Sequence, residues 1–258
     1  MSERGAPADA TGADLRRPAF YALGPGGWRD LITLLHPPYT AWHLSYVGLG
    51  AAAAPQIHDD RLLATLTAFF LAVGVSAHAL DELHGRPLKT RLSDRSLIAL
   101  ASVGLAGAIG IGAASVFVIS TSLAPFVAMG GFLVVAYNLE LADGRFHTDF
   151  WFAAGWGAFP ALTSWWANTL SLGSADELAA GALVTVGCFG LTVAQRRLST
   201  PVRDLRRRTA SLSGEQRLDD GSSIPLSVER IASPLDGALR AISWALVALA
   251  AGLVTLRV

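Results

Sequence analysis

The chain has 258 residues, of which 52% are hydrophobic and only 16% are charged, with 20 basic and 20 acidic side chains. Soluble domains carry about 25% charged residues, so this composition excludes an ordinary soluble domain and indicates a membrane protein. The zero net charge gives no sign of a nucleic-acid partner, and the single cysteine, Cys188, excludes an intramolecular disulfide.

Seven apolar segments follow one another along the chain, and most approach the ~20 residues that a helix needs to cross a bilayer. We therefore predict an all-α, polytopic membrane helical bundle with about seven transmembrane helices. It forms a single transmembrane domain over residues 37–258, after a polar cytoplasmic N-terminal segment over residues 1–36. A Gly/Ala-rich stretch, residues 107–115, predicts a tight hairpin between segments three and four. The segments cover residues 39–55, 62–80, 96–113, 115–138, 150–166, 178–195 and 235–256.

The basic residues predict how the bundle is oriented. With seven spans, all but Arg61 and Arg257 of the 20 Lys and Arg fall on one side. The positive-inside rule assigns this side to the cytoplasm. We therefore expect a multi-pass protein of the cell membrane, with its N-terminus in the cytoplasm and its C-terminus on the opposite side. Residues 196–233 are predicted to form a basic cytoplasmic loop with a surface helix over 202–212. The basic run 203–208 either contacts anionic lipid headgroups or covers a pocket.

Two clusters of ionisable side chains stand at the ends of segments two and four. Their three- and four-residue spacing places side chains on one face of a helix. Both segments run toward the cytoplasm, so we predict that the clusters meet and form two halves of one site. Ionisable groups at the margin of a bilayer are costly and indicate function. The predicted metal ligands are His78, Asp81, Glu82, Glu140, Asp143 and His147.

Basic and aromatic side chains near these clusters extend the predicted site. Basic groups beside a cation site suit a phosphorylated substrate, which points to Arg86, Lys89 and Arg145. A deep aromatic ring, Trp156, suits an apolar chain or a carbocation. His43 in segment one lies near the same side of the membrane and is predicted to reach the same pocket.

The end of segment two resembles the first acidic motif of the UbiA superfamily of intramembrane prenyltransferases. The resemblance covers residues 34–214 and rests on three stretches, which are His78 to Leu88, Tyr137 to Leu139 and His36 to Thr40. It implies a UbiA-like bundle and a membrane transferase that acts on a polyprenyl diphosphate or related isoprenoid lipid, with Mg²⁺ as cofactor. Asp81 and Glu82 would be the catalytic carboxylates, and Tyr137 and Asn138 would bind substrate. Cation-assisted ionisation would precede attack of an acceptor on the allylic carbon.

Two alternatives stay open. The family's second motif has paired aspartates after segment six, whereas here Asp219 and Asp220 lie far downstream and histidines accompany Asp81. Histidine with carboxylates suits iron or zinc better than Mg²⁺, which would make the protein a metal-dependent membrane enzyme acting on a lipid. The third hypothesis is a non-catalytic transporter or assembly partner, against which the apolar middle of the spans argues. The sequence does not predict an oligomeric state.

Overall fold

The computed structural model describes residues 18–257, and the first 17 residues of the predicted N-terminal segment lie outside this range. Within it the chain is mostly helical. Two short strands, β1 (Glu215–Arg217) and β2 (Ser223–Pro225), pair antiparallel, and a helical turn (Leu141–Gly144) follows the fifth helix. The predicted all-α class is confirmed for the described residues. The helices are α1 (Trp28–Leu34), α2 (Pro37–Ala52), α3 (Asp59–Leu83), α4 (Asp94–Val118), α5 (Thr121–Asn138), α6 (149–169), α7 (Ala175–Arg207) and α8 (Val228–Thr255).

Among the described residues, five helices are long and apolar enough to cross a membrane: α3, α4, α5, α7 and α8. The helices of predicted segments one and five, α2 and α6, are not among them, and α2 has only 16 residues. Val103, Phe117, Leu183 and Trp244 point outward from the apolar helices and are exposed. Apolar surface on this scale is what a lipid-facing bundle presents. The structure therefore indicates a membrane-embedded protein.

The predicted hairpin over residues 107–115 is wrong, because this stretch is helical. Helix α4 continues to Val118, and the turn into α5 lies at Ile119 and Ser120. The small residues serve close packing, since a Cβ on Gly112 would lie 2.6 Å from Cγ2 of Val127 in α5, and one on Gly107 would lie 3.0 Å from Cδ1 of Leu71 in α3. Glycines of this kind let membrane helices approach each other.

Residues 196–233 are more ordered than the predicted loop. Their first third is the end of α7, which continues to Arg207, and the β-hairpin and the start of α8 occupy much of the rest. The predicted surface helix over 202–212 is the last part of α7 and not a separate element. Arg206 and Arg207 lie in the last turn of α7, where positive charge interacts favourably with the helix dipole.

Helix α2 lies inside the bundle and packs against α3, α6 and α8. Ten of its 16 residues are buried. Trp42 donates a hydrogen bond to the hydroxyl of Tyr46, which also accepts one from Thr192 of α7 at 3.1 Å. A Cβ on Gly50 would overlap the backbone carbonyl of Ala161 in α6. This close packing fixes the position of α2, whose first turns reach the candidate site.

Two helices contain a π-helical segment next to this site. The segment of α3 covers Phe70–Ala77 and ends directly before His78. The segment of α6 covers Ala154–Ala158 and contains Trp156. Short π-helical segments inside α-helices are frequent at functional sites, and here both adjoin the same opening in the bundle.

Candidate functional site

A polar cavity of about 140 Å³ opens at the end of the bundle where α2 begins and α3 and α5 end. We call it the polar cavity. All the long helices except α4 contribute to its walls, together with residues 18–21. Its polar and aromatic lining includes Tyr21, His36, Tyr39, His43, His78, Asp81, Tyr137, Asn138, His147, Trp156, Gln195, Arg196, Ser199, Arg203, Arg207 and Asp236.

The structure brings the ends of α3 and α5 together in this cavity. His78 and Asp81 come from the end of α3, and Tyr137 and Asn138 from the end of α5, with His147 following nine residues later. The rings of Tyr137 and His147 stack with their centroids 4.4 Å apart. Parallel helices place their ends at one side of the bundle, which is why residues so far apart in sequence share one cavity.

Three histidines of the cavity are held in one orientation by backbone carbonyls. Because a carbonyl only accepts, Nδ1 of each ring carries the hydrogen, and Nε2 of a neutral ring is then an acceptor. The bonds run from His43 to Trp156 at 2.7 Å, from His78 to Gly74 at 3.2 Å and from His147 to Tyr137 at 3.0 Å.

His36 precedes α2 and stacks on His78, with the ring centroids 4.0 Å apart and the planes at 14°. Its Nε2 is buried and has no hydrogen-bond partner among the described residues. Burial lowers the pKa of His36 well below its ordinary value, so the ring is neutral at neutral pH. Tyr21 lies against the same ring, and burial raises the pKa of its hydroxyl, which therefore keeps its proton.

Glu82 faces away from the polar cavity, although it adjoins Asp81 in sequence. Its carboxylate is completely buried and accepts three hydrogen bonds of 2.8 Å. The donors are the backbone N–H groups of Leu88 and Thr90 and the hydroxyl of Thr90. Glu82 therefore holds the loop that follows α3 and does not line the cavity.

The predicted metal ligands Glu140 and Asp143 are exposed and do not line the cavity. Helix α5 ends at Asn138, and Glu140 and Asp143 adopt left-handed backbone angles, with φ of 49° and 56°. The three- and four-residue spacing therefore no longer places these side chains on one helical face. Glu140 instead lies 3.9 Å from His84 and from His147.

Three basic residues predicted to bind substrate also lie outside the lining of the polar cavity. Arg86 forms an ion pair with Asp94 and donates a 2.6 Å hydrogen bond to the carbonyl of Leu92. Lys89 and Arg145 are exposed. Arg86 and Glu82 thus stabilise the loop after α3. The side chains that line the polar cavity come from other elements.

The lining of the polar cavity includes arginines that were not predicted as site residues. Because α7 extends to Arg207, its residues 196, 199, 203 and 207 recur at three- and four-residue spacing on the face toward the cavity. Arg196 pairs with Asp149 at 2.8 Å. Arg203 and Arg207 have no carboxylate within 4.0 Å among residues 18–257. The basic run 203–208 was the available signal, but its geometry depends on the helix continuing.

The carboxylates of the polar cavity do not fit a divalent cation. Of the two among residues 18–257 that line it, Asp236 pairs with Arg206 at 2.5 Å, which leaves Asp81. Across residues 18–257, no three His, Cys, Asp or Glu side chains are grouped so that they could hold a metal ion. Mg²⁺ takes about six oxygen ligands, and the residues predicted for this role do not supply them together.

An apolar groove of about 110 Å³ adjoins the polar cavity inside the bundle. We call it the apolar groove. Helices α3 to α6 form most of its walls, with Leu105 and Phe126 among the lining side chains. Along α3 the lining runs from Arg61 to Val73, about 18 Å at 1.5 Å per residue. Trp156 lines both the groove and the polar cavity, so the two spaces meet at this ring.

No protein family model, no curated protein and no solved structure matches this chain. The function is therefore inferred from the chemistry of the polar cavity and the apolar groove.

Proposed function

We propose that the protein is a UbiA-like membrane transferase that acts on an isoprenoid lipid with an anionic head, of the polyprenyl diphosphate class. The observation that carries this proposal is the junction of the polar cavity with the apolar groove at Trp156. A ligand that fills both spaces has a charged end and an apolar chain. Polyprenyl diphosphates combine these two parts in one molecule.

The proposal includes a specific arrangement in the membrane. All seven helices from α2 to α8 cross the bilayer, and the polar cavity opens to the cytoplasm. The strong bias of Lys and Arg toward this end of the bundle supports that orientation. The short helix α2 is compatible with it, because α2 is surrounded by α3, α6 and α8 and depends little on contact with lipid.

The lining of the two spaces suits the parts of such a lipid. The head lies in the polar cavity beside Arg203 and Arg207, and the chain lies in the groove against apolar side chains such as Phe126. Tyr137 and Trp156 stand at the junction, with their ring centroids 4.6 Å apart. Aromatic ring faces attract positive charge, so these rings suit the carbon that becomes cationic when the head departs.

Asp81 suits the role of proton acceptor in the transfer step. The bond between the allylic carbon and the diphosphate oxygen breaks, and its electron pair leaves with the diphosphate. The nucleophilic atom of the acceptor substrate forms a new bond to that carbon, and its proton passes to the carboxylate of Asp81. The acceptor enters through the polar cavity, where Asp81 lies with the arginines of α7.

Binding measurements test the two-part site. Purified protein in lipid nanodiscs is titrated with geranylgeranyl diphosphate, geranylgeraniol and inorganic diphosphate. The complete lipid is expected to bind more tightly than either part. Ala68→Phe fills the groove and should weaken binding of the complete lipid. Ala106→Phe, on the exposed face of α4 outside the groove, should leave this binding unchanged. Equal affinity of the complete lipid and its parts, or no effect of Ala68→Phe, would contradict the proposal.

An activity measurement tests the transfer itself. Nanodisc protein is incubated with radiolabelled geranylgeranyl diphosphate and a lipid extract that supplies acceptors. We expect release of inorganic diphosphate together with a new prenylated product, and loss of both in Asp81→Asn. Tight binding without any product would make the protein a lipid-binding protein and would overturn the transferase assignment.

A further inference from the structure

We propose that the polar cavity holds the anionic head directly through arginine side chains of α7, without a divalent cation. This inference rests on the proposed function, since it specifies how the head of the same lipid is bound. It departs from the Mg²⁺ dependence that the UbiA resemblance implies. It concerns residues that the sequence pattern alone does not assign to the site.

The charge of the polar cavity favours an anion. Its lining contains Arg196, Arg203 and Arg207, with Asp81 and Asp236 as the carboxylates. Two of these groups are already neutralised, because Arg196 pairs with Asp149 at 2.8 Å and Asp236 with Arg206 at 2.5 Å. Within the part of the chain that the structure describes, two guanidiniums and one carboxylate remain, which leaves a positive excess for a ligand to balance.

Arg203 and Arg207 are placed to bind one anion together. They stand four residues apart on α7, so both lie on the same face and both line the cavity. Arg203 donates to the hydroxyl of Thr200 through Nη2, at 3.1 Å. Arg207 donates to the carbonyl of Pro18 through Nε, also at 3.1 Å. These bonds orient the guanidiniums and leave their other N–H groups for phosphate oxygens, which a planar guanidinium binds in pairs.

Gln195 is the second observation that points to a ligand. It lines the same cavity, its side chain is 3% exposed, and its Oε1 has no hydrogen-bond partner among the described residues. A buried acceptor without a partner is unfavourable. A hydroxyl of the bound head or of the acceptor substrate would satisfy it. The cavity therefore offers both cationic donors and an acceptor, as expected of a site for a partly protonated anion.

The carboxylates that a cation would need are used elsewhere. Glu82 accepts three hydrogen bonds from the loop after α3, and Glu140 and Asp143 are exposed outside the cavity. A divalent cation next to Asp81 would lie near two guanidiniums that repel it. The donors present are those of an anion site.

The test measures binding of geranylgeranyl diphosphate and of inorganic diphosphate to the full chain in nanodiscs, with excess EDTA or with Mg²⁺. We expect the affinity for the lipid to be the same within about twofold in both conditions. Arg203→Gln and Arg207→Gln should each weaken binding by about tenfold or more, as expected for lost hydrogen bonds to a charged group. Arg207→Lys keeps the charge but loses the planar fork, so an intermediate loss is expected.

Arg197→Gln is the matched control, because Arg197 lies on the same helix, is exposed and does not line the cavity. It should bind as the wild type does. The melting temperature of each variant shows whether it folds. If a glutamine variant does not fold, the binding of Arg207→Lys is compared with that of the wild type instead. Binding that needs Mg²⁺, or arginine variants that bind like Arg197→Gln, would overturn the inference and leave the proposed function standing. Failure of the complete lipid to bind in either condition would instead overturn the proposed function.

Discussion

Arg206 of α7 and Asp236 of α8 form a buried ion pair, with 2.5 Å between Nη2 and Oδ2 and each side chain only 7% exposed. The pair joins the last turn of α7 to α8. It thereby fixes the part of α7 that presents Arg203 and Arg207 to the polar cavity. The contact therefore stabilises α7 beyond its apolar part.

Replacing Asp236 by asparagine should destabilise the protein by about 3–5 kcal/mol, the usual cost of leaving one member of a buried ion pair alone. Nε and Nη1 of Arg206 already have no hydrogen-bond partner among the described residues, so no other group takes over. Chemical unfolding in detergent measures the change. Asp204→Asn is the control, since the pair of Asp204 with Arg208 is exposed and contributes about 1 kcal/mol or less. Equal losses in the two variants would show that the buried pair has no special role.

Glu82→Ala should loosen the loop over residues 84–93. The change leaves two buried backbone N–H groups, those of Leu88 and Thr90, without an acceptor, at about 1–3 kcal/mol each. Trypsin is expected to cut at Lys89 and Arg91 faster than in the wild type. Glu140→Ala, which removes an exposed carboxylate, should leave the rate unchanged. If Glu82→Ala resisted trypsin as the wild type does, the proposed structural role of Glu82 would be lost.

Gly50→Ala should separate α2 from α6, because the added Cβ would overlap the carbonyl of Ala161. Overpacking of this kind costs about 1–3 kcal/mol, which a lower melting temperature in detergent would report. In Gly110→Ala the new Cβ meets no atom within 4 Å. That variant should melt at the wild-type temperature or slightly above it, because alanine favours a helix more than glycine does. A wild-type melting temperature for Gly50→Ala would refute the close contact of these helices.

Because of His36, the free energy of unfolding should decrease at acidic pH. The pKa of His36 is lowered in the folded protein, whereas the unfolded chain has the ordinary value near 6.5. Between these two values the unfolded state binds more protons, so stability is complete above about pH 6.5 and falls as the pH drops below it. His36→Phe keeps a ring against His78 and removes the titration, and its melting temperature should depend less on pH in this range. His84→Phe, which changes an exposed histidine, should keep the wild-type pH dependence.

The helices were largely predictable, because apolar composition is a local property of the chain. Four of the seven apolar segments lie within a helix of the structure. Segments one and seven run slightly past the ends of α2 and α8, and segment four includes the end of α4 and the turn into α5. The ends were less predictable, because a glycine-rich stretch looks the same in a turn and in a close helix contact. Gly107 packs on α3 and Gly112 on α5, and the predicted hairpin over 107–115 is part of α4.

The candidate site was predictable only in outline. Two neighbouring carboxylates, Asp81 and Glu82, have the same chemistry in the sequence, and the rotation of α3 in the bundle decides which one faces the cavity. The spacing of Glu140 and Asp143 predicts a common face only if α5 continues. The left-handed turn after Asn138 removes that condition.

The sequence by itself determined that this is a helical membrane protein, and it placed two ionisable clusters at the ends of parallel helices. Hydropathy and chain direction suffice for that, because they need no knowledge of neighbouring residues. Only the tertiary structure decided which side chains share the polar cavity. Helix rotation and helix ends depend on packing partners. The contact of Arg206 with Asp236 joins α7 to α8 where arginines line the cavity wall, whereas the sequence predicts a basic loop with a separate surface helix there.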